Sequence, residues 1–320
     1  MDTTGTTFLP PTGSTIAPDV DALFNFLLYL SIGFFVLIMS LVVYFSARYR
    51  RRGEAPRLTP ALTHNTALEM TWIVIPLILV GVLFVWGFKG FMRLSVVPKD
   101  AMEIKVTGQK WFWSFMYPEG ASTINELVVP AGKPVKLLMS SQDVIHSFFV
   151  PDFRIKRDVL PNRYSVAWFE APRPGEHRLF CAEYCGSQHS GMVGKVRVIG
   201  EREYQEWLTT AMMSGEGMNP ADFGAKLYVS KTCNTCHSID GRAMNGPSFQ
   251  GVYGHEVTLA DGSKLIVDEN YIRESILNPQ SKVVAGYQPI MPTFQGLVQA
   301  HEIDALIAFI KTLDKKEGGE

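Results

Sequence analysis

Cys181-Ala-Glu-Tyr-Cys185-Gly-Ser-Gln-His189-Ser-Gly-Met192 gathers two thiols, an imidazole and a thioether into one short stretch. A second imidazole, His146, stands upstream in DVIHSFFVP. A single zinc ion takes four ligands and rarely a thioether. A mononuclear blue-copper site uses one Cys, two His and an axial Met. The second Cys is therefore surplus for one copper and suits two coppers bridged by two thiolates. Soft sulfur also favours copper. A Cys181–Cys185 disulfide competes with this assignment and an oxidising compartment permits it, but it leaves His146, His189 and Met192 without a role.

The sequence around this motif reads as short strands. The runs MEIKVTG, WFWSFMY, ELVVPAG, PVKLLMSS, RYSVAWFEA, GEHRLFCAEYC and GKVRVIG are separated by Gly, Pro and Asn, the residues that punctuate turns. In PVKLLMSS, Val135, Leu137 and Met139 alternate with Lys136, Leu138 and Ser140, the period of a half-buried strand. The expectation is a β-sandwich or Greek-key barrel over residues 95–200. Trp111, Phe112, Trp113, Phe115 and Tyr117 read mostly as its strand core.

The 320-residue chain is 47% hydrophobic and 19% charged, with net charge −1 and four Cys. That composition excludes a collagen-like, disordered or disulfide-dense chain and a basic nucleic-acid binder, so no nucleic-acid partner is expected. Its mean hydropathy of +0.08 is an average over unlike parts. Residues 22–45 (ALFNFLLYLSIGFFVLIMSLVVYF) carry no formal charge. As a helix they would reach ~36 Å at ~1.5 Å per residue, enough to cross the ~30 Å core of a lipid bilayer with some tilt. A second span is expected over about 70–90, where residues 70–88 are also uncharged.

The loop between the spans holds Arg48, Arg50, Arg51, Arg52 and Arg57, whereas the first 21 residues hold Asp2, Asp19 and Asp21 and no Lys or Arg. By the positive-inside rule the loop is cytoplasmic, and the N-terminus and everything beyond residue 90 are outside. The acidic N-terminus is unlike a signal peptide. Glu69 abuts the second span at the cytoplasmic surface. It reads as a solvated interfacial acid or a favourable helix N-terminal charge, or as a point of proton uptake.

Residues 201–220 read as a short helix and linker. Beyond them, PADFGAKLYVSK leads into Cys233-Asn-Thr-Cys236-His237. CxxCH is the attachment motif of a c-type haem, with two thioether tethers and His237 as proximal ligand. A redox CxxC would need a thioredoxin-like βαβ context, which the flanking sequence lacks. The sixth ligand should be a downstream Met. Met291, in QPIMPTF, is the candidate, since Met244 is too near the attachment loop. His255 and His301 read as surface residues. All four Cys are then used, as two bridges and two tethers.

The pattern H…C-x-E-x-C-x3-H-x2-M, preceded by GQKWFWSF, resembles subunit II of the haem–copper cytochrome c oxidases. Residues 221–315 resemble a class I cytochrome c, and the whole resembles the fused subunit II of caa-type oxidases. This resemblance implies a multidomain membrane protein: a transmembrane hairpin within 1–94, a cupredoxin-like domain at 95–200, a linker at 201–220 and an all-α cytochrome c domain at 221–320. It implies a binuclear CuA centre with His146 and His189 as nitrogen ligands, Cys181 and Cys185 as bridges, Met192 as a weak ligand and the Glu183 carbonyl as another. The Glu183 carboxylate would face a Mg²⁺ shared with subunit I, and Lys156 and Asp158 of KRDVLPNRY would lie toward that interface. Asn162 stands where the family usually has Gly, and Asn tolerates the same turn. Trp111 would receive electrons above CuA. LEMTWIVIP resembles the segment whose Glu, here Glu69, is the mouth of the K proton pathway. Within the cytochrome, Gly224 and Tyr228 on the first helix would meet Phe309 on the last, Pro247 would back His237, and residues 255–271 look like an inserted hairpin.

The resemblance implies an electron-transfer subunit. Electrons would pass from an outside donor, such as a cytochrome c, a bc-type complex or an equivalent complex, through haem c and CuA to haem a of subunit I. There, together with other oxidase subunits, dioxygen is reduced to water and protons are pumped. A CuA-containing nitric oxide reductase and a stand-alone membrane-anchored electron shuttle are the alternatives. The expected location is the bacterial cytoplasmic membrane, two-pass, with both soluble domains outside. Few carboxylates (Glu119, Glu126, Asp143) lie on the loops near Trp111, too few for a strong anionic landing site. Weak salt dependence of electron transfer into CuA is therefore expected.

Overall fold

The structure, a computed structural model, describes residues 5–50, 64–212 and 218–313. Two long helices open the chain, α1 (Ala17–Arg48) and α2 (Thr66–Ser95). Pro18 sits in the first turn of α1, where its missing N–H leaves no bond unmade, and the Asn65 side chain caps α2 by accepting from Leu68 N. Both helices are apolar on every face, with mean hydropathy of 2.6 and 2.4 in their membrane-length windows. Helices of that kind need lipid or protein around them. They meet at Phe26 and Trp86, whose ring centroids are 5.6 Å apart. The expected spans fall inside them. Of the charges used for orientation, Asp2, Arg51, Arg52 and Arg57 lie outside the described residues.

The segment before α1 ties the helices to the β-domain. Gly13 N donates to Asp152 O at 2.8 Å, Thr15 N to Glu170 O at 2.9 Å and the buried Ser14 hydroxyl to Phe153 O at 2.9 Å. Only glycine fits at position 13, because a Cβ there would lie 2.8 Å from the His177 and Phe153 rings. Arg154 joins Asp21 of α1 at 2.7 Å and donates to Pro10 O at 2.6 Å, and Arg93 of α2 pairs with Asp19.

The β-domain packs two five-stranded sheets face to face. One is ordered β3 (Ser122–Ile124), β2 (Phe112–Met116), β1 (Met102–Gln109), β5 (Pro134–Ser141) and β8 (Ser165–Glu170). The other is ordered β4 (Glu126–Pro130), β10 (Val193–Ile199), β9 (Gly175–Cys181), β6 (His146–Val150) and β7 (Ile155–Val159). β1–β5 and β4–β10 are parallel pairs, which makes both sheets mixed. The alternation read in PVKLLMSS is realised, with Val135, Leu137 and Met139 buried against Trp113, Phe115, Phe148 and Phe169 in the core. Asn162 adopts φ 59°, the left-handed turn that its substitution for Gly requires. Helix α3 (Glu201–Met212) lies against this domain through buried Tyr204 and Leu208, with Trp207 edge-on to Tyr117 at 5.0 Å.

The C-terminal domain is helical, with α4 (Pro220–Ser230), α5 (Glu269–Leu277) and α6 (Ala300–Thr312). The expected crossing of the first and last helices is present. Gly224 lies so close to α6 that a Cβ on it would fall 2.0 Å from Ala305 O and 2.7 Å from Phe309 Cβ. A buried Lys231–Glu302 ion pair at 3.2 Å adds to this junction, and Lys231 also donates to Leu297 O at 3.1 Å. The expected insertion is a hairpin of β11 (Glu256–Thr258) and β12 (Lys264–Ile266). His255 and His301 are both exposed. Overpacking usually costs ~1–3 kcal/mol, and the backbone oxygen facing Gly224 cannot rotate away. Gly224→Ala is therefore expected to destabilise this domain by about 3 kcal/mol in denaturant unfolding; an unchanged midpoint would contradict the crossing.

Candidate metal centre and haem pocket

The copper-type site arises from the pairing of neighbouring strands. β6 begins at His146 and β9 ends at Cys181, and Phe148 lies opposite Cys181 in the ladder. The 182–192 loop then returns to β10. Ala182 N donates to Ser147 O at 2.9 Å and Cys181 N to Met192 O at 3.2 Å, closing both ends of the loop, while Gly186 turns it at φ 124°. His146 fits because Gly108 opposite has no side chain: a Cβ there would lie 3.1 Å from the imidazole.

Six donor atoms converge. Cys181 Sγ lies 3.9 Å from Cys185 Sγ, 3.9 Å from His146 Nδ1 and 3.3 Å from the Glu183 carbonyl. Cys185 Sγ lies 3.5 Å from His189 Nδ1 and 3.8 Å from Met192 Sδ. Both thiols are free and buried, at about twice the ~2.05 Å of a disulfide bond, so the disulfide alternative is not what the structure contains. Each sulfur has its own imidazole and its own weak donor, a set that fits two soft cations sharing two thiolates. Burial raises the Cys181 thiol, but the His146 imidazole and the Ser147 and Glu183 backbone outweigh it and the net shift is downward. Burial, and then the negative charge on Cys181, push the Cys185 thiol up. Two neighbouring thiolates are held together only by added positive charge.

Asp143, read from the sequence as a loop carboxylate, is an exposed loop residue that is also tied to His146. Its Oδ1 lies 2.7 Å from Nε2 of the fully buried His146, which leaves Nδ1 facing the sulfurs. Burial raises the Asp143 carboxyl, but hydrogen bonds from His146, Val144 N and Lys110 N overcome this and hold it below the usual range. D-x-x-H before an apolar strand was the available sequence signal. Glu126 is likewise committed, to Arg197 at 3.1 Å and Lys195 at 3.3 Å. The Glu183 carboxylate is on an exposed residue.

The second pocket lies in the helical domain. Cys233, Cys236 and His237 form a tight turn, closed by His237 N donating to Cys233 O at 2.9 Å. His237 Nδ1 lies 2.7 Å from Pro247 O, which fixes the ring and leaves Nε2 as the free donor. Phe249 stacks on the ring at 4.5 Å, and Gly246 is obligatory, since a Cβ would lie 2.5 Å from it. The cavity beyond is lined by Cys233, Cys236, His237, Met291, Leu306 and Ile310, with Val257 and Val267 of the inserted hairpin segment forming part of its wall. Gln280 Nε2 donates to Met291 O at 3.2 Å and to Pro289 O at 3.0 Å, anchoring the Met291 loop. An apolar cavity with two thiols, an oriented imidazole and a thioether fits a covalently tethered haem. Met244 is exposed and does not line it.

Trp111 touches both centres. A Cβ on Gly186 would lie 3.2 Å from its indole ring, so the ring rests on the copper loop beside Cys185. The same residue, with Lys110 and Phe112, walls the haem-type cavity. Glu69 lies apart from both, in the first turn of α2, where its carboxylate accepts from Asn65 N at 3.2 Å.

Fold and sites define a class: a membrane-anchored electron-transfer chain that joins a cupredoxin-like domain to a c-type cytochrome. The sequence matches the families described as cytochrome c oxidase subunit II, transmembrane domain, over residues 3–89; cytochrome c oxidase subunit II, periplasmic domain, over 121–199; and cytochrome c over 221–314. It is 32% identical over 294 residues to cytochrome c oxidase subunit 2 of Alkalihalophilus pseudofirmus, covering 88% of this chain and 83% of that one. It is 29% identical over 247 residues to cytochrome c oxidase subunit 2 of a Synechocystis species, covering 62% and 74%. The crystal structure of the periplasmic domain of subunit II of cytochrome oxidase from Bradyrhizobium japonicum is 33% identical, covers 37% of this chain and 98% of that one, and superposes with a TM-score of 0.36. The chain belongs to the cytochrome c oxidase subunit II family, in the form that carries a C-terminal cytochrome c domain. Membership makes it a subunit of a haem–copper oxidase that partners subunit I, and implies CuA copper and haem c.

Removing a partner that orients a metal-binding His usually costs ~10–100-fold in metal affinity. Asp143→Ala is expected to weaken copper retention by about that factor, measured as copper per chain after equilibration with a competing chelator. Retention equal to wild type would contradict the role given to Asp143.

Proposed function

We propose that this chain carries electrons from an outside donor to haem c, then to CuA, and on to haem a of subunit I, which reduces dioxygen to water and pumps protons. The supporting observation is Trp111, whose ring lies against Gly186 of the copper loop while the same residue walls the cytochrome cavity. Cys233 and Cys236 would tether the haem, and His237 and Met291 would be its protein ligands. His146, His189, Cys181, Cys185, Met192 and the Glu183 carbonyl would hold CuA, and the Glu183 carboxylate would hold a Mg²⁺ shared with subunit I. When bound, the two groups supply one-electron carriers whose potentials are set by ligands, hydrogen bonds and burial.

The protein's own residues keep geometry fixed. Pro247 and Phe249 hold the His237 ring, Asp143 holds His146, and the closed 182–192 loop holds both thiols. Rigid donors change little on electron transfer. Fusion of the cytochrome to the copper domain replaces diffusional docking by a fixed effective concentration. The chain lies in the bacterial cytoplasmic membrane, two-pass, with the N-terminus and both soluble domains on the outer side, a reading supported by the two apolar helices and by Arg48 and Arg50 against Asp19 and Asp21. The donor is a cytochrome c, a bc-type complex or an equivalent complex.

Metal analysis and EPR of the purified oxidase test this assignment. Two coppers and one haem c per copy of this chain, with a mixed-valence copper signal, are expected. One copper per chain, or the signal of a mononuclear site, would contradict it. Glu69 forms the mouth of a proton pathway at the cytoplasmic surface, a role supported by its place in the first turn of α2. Glu69→Ala is therefore expected to slow turnover while leaving the spectra of both centres unchanged; wild-type turnover would remove that role.

A further inference from the structure

Phe112 occupies an unexpected place in the β-domain. It alternates with Trp113 and Phe115, which fill the sandwich core, so its side chain leaves the opposite face of β2. That face should be open to solvent, yet Phe112 is only 4% exposed. Its cover is the cytochrome domain. The Phe112 ring stacks on Phe294 with centroids 5.6 Å apart and planes 10° apart. Ile124, on the neighbouring β3, is buried in the same apolar cluster as Phe294 and the cytochrome core.

Phe294 is not a mobile surface ring. Its N–H donates to Ile276 O at 3.0 Å, and the preceding Thr293 hydroxyl donates to Leu277 O at 2.6 Å. Both bonds fasten the Met291 loop to the end of α5. On the other side, Phe112 is the residue after Trp111 and is fixed by its strand pairing with Gln109. A rigid ring next to Trp111 thus meets a rigid ring three positions from Met291. The cytochrome cavity is incomplete without the copper domain, because Trp111 and Phe112 form part of its wall.

We propose that Phe112 and Phe294 are a pair of positioning residues that lock the cytochrome pocket onto Trp111. The pair clamps the two domains by apolar stacking and so holds the indole between the two pockets. This rests on the electron path proposed above. It adds that the path's geometry is set by a ring pair that offers no ligand to either metal.

The test uses the intact oxidase and the variants Phe112→Ala, Phe294→Ala, the double variant and Phe294→Tyr. Flash photoreduction of haem c gives the rate at which CuA is reduced, and hydrogen exchange reports backbone protection over 112–124. Electron transfer slows steeply as its partners separate, so each single Ala variant is expected to slow transfer severalfold. Both centres remain loaded, read as haem c and copper per chain, and protection over 112–124 falls. Because the two rings act as a unit, the double variant should be within about twofold of the slower single, and Phe294→Tyr should transfer at a near wild-type rate. If Phe294→Ala fails to mature its haem, Phe112→Ala carries the test, since it leaves the cytochrome sequence intact. Wild-type transfer rates or wild-type protection in Phe112→Ala would overturn the proposal, as would single effects that multiply in the double variant. A wild-type oxidase that passes no electrons from haem c to CuA would overturn the path itself and the clamp with it.

Discussion

The antiparallel pairing of β6 with β9 sets His146 beside Cys181, and the cluster of sulfur and nitrogen donors follows from it. Once that pair is fixed, the 182–192 loop must leave and rejoin the same sheet. It does so with both ends hydrogen-bonded, which brings Cys185, His189 and Met192 back over Cys181. The residues around this junction serve the same constraint. Gly108 gives the imidazole room, Asp143 chooses its free nitrogen, and Trp113 packs edge-on against it at 5.9 Å. A slip of one residue between β6 and β9 would turn His146 to the other face and dismantle the site.

The electrostatics complete the geometry. Two thiolates 3.9 Å apart repel one another unless positive charge compensates them. The folded loop therefore presents a prearranged pair of soft anions that only cations complete. The cytochrome pocket is built the other way, from an apolar cavity with one oriented imidazole and two thiols at its rim. Between them lies Trp111. The N-terminal strap through Ser14, Asp21 and Arg154 ties the β-domain to the helical hairpin.

Much of this was legible in the sequence, for physical reasons that differ by element. The alternation in 134–141 names its own buried face, and the ligand spacings of CxExCxxxHxxM and CxxCH leave little freedom. β6 and β7 were not visible as strands. HSFFV has no alternation because both of its faces are covered, and IKRDV places three consecutive charges on an edge strand. Edge strands often carry charges that block further pairing. Asp143 looked like a surface acid because its partner is set by a turn, not by periodicity. Phe112 looked like barrel core because sequence alternation reports which face a side chain takes, and says nothing of a second domain covering that face. The inserted hairpin was visible, but its share in walling the haem cavity depends on tertiary packing alone.

Apolar packing holds the thiol loop and the cytochrome cavity of one chain in contact through Trp111. The most direct measurement is the rate of haem c to CuA transfer in the intact oxidase as ionic strength is raised from ~0.01 to ~0.5 M, a range over which the screening length falls severalfold. A preformed apolar contact predicts a rate that stays within about twofold across that range, because no charged encounter has to form. A fall of tenfold or more would show that the domains meet by electrostatic docking and would contradict the account.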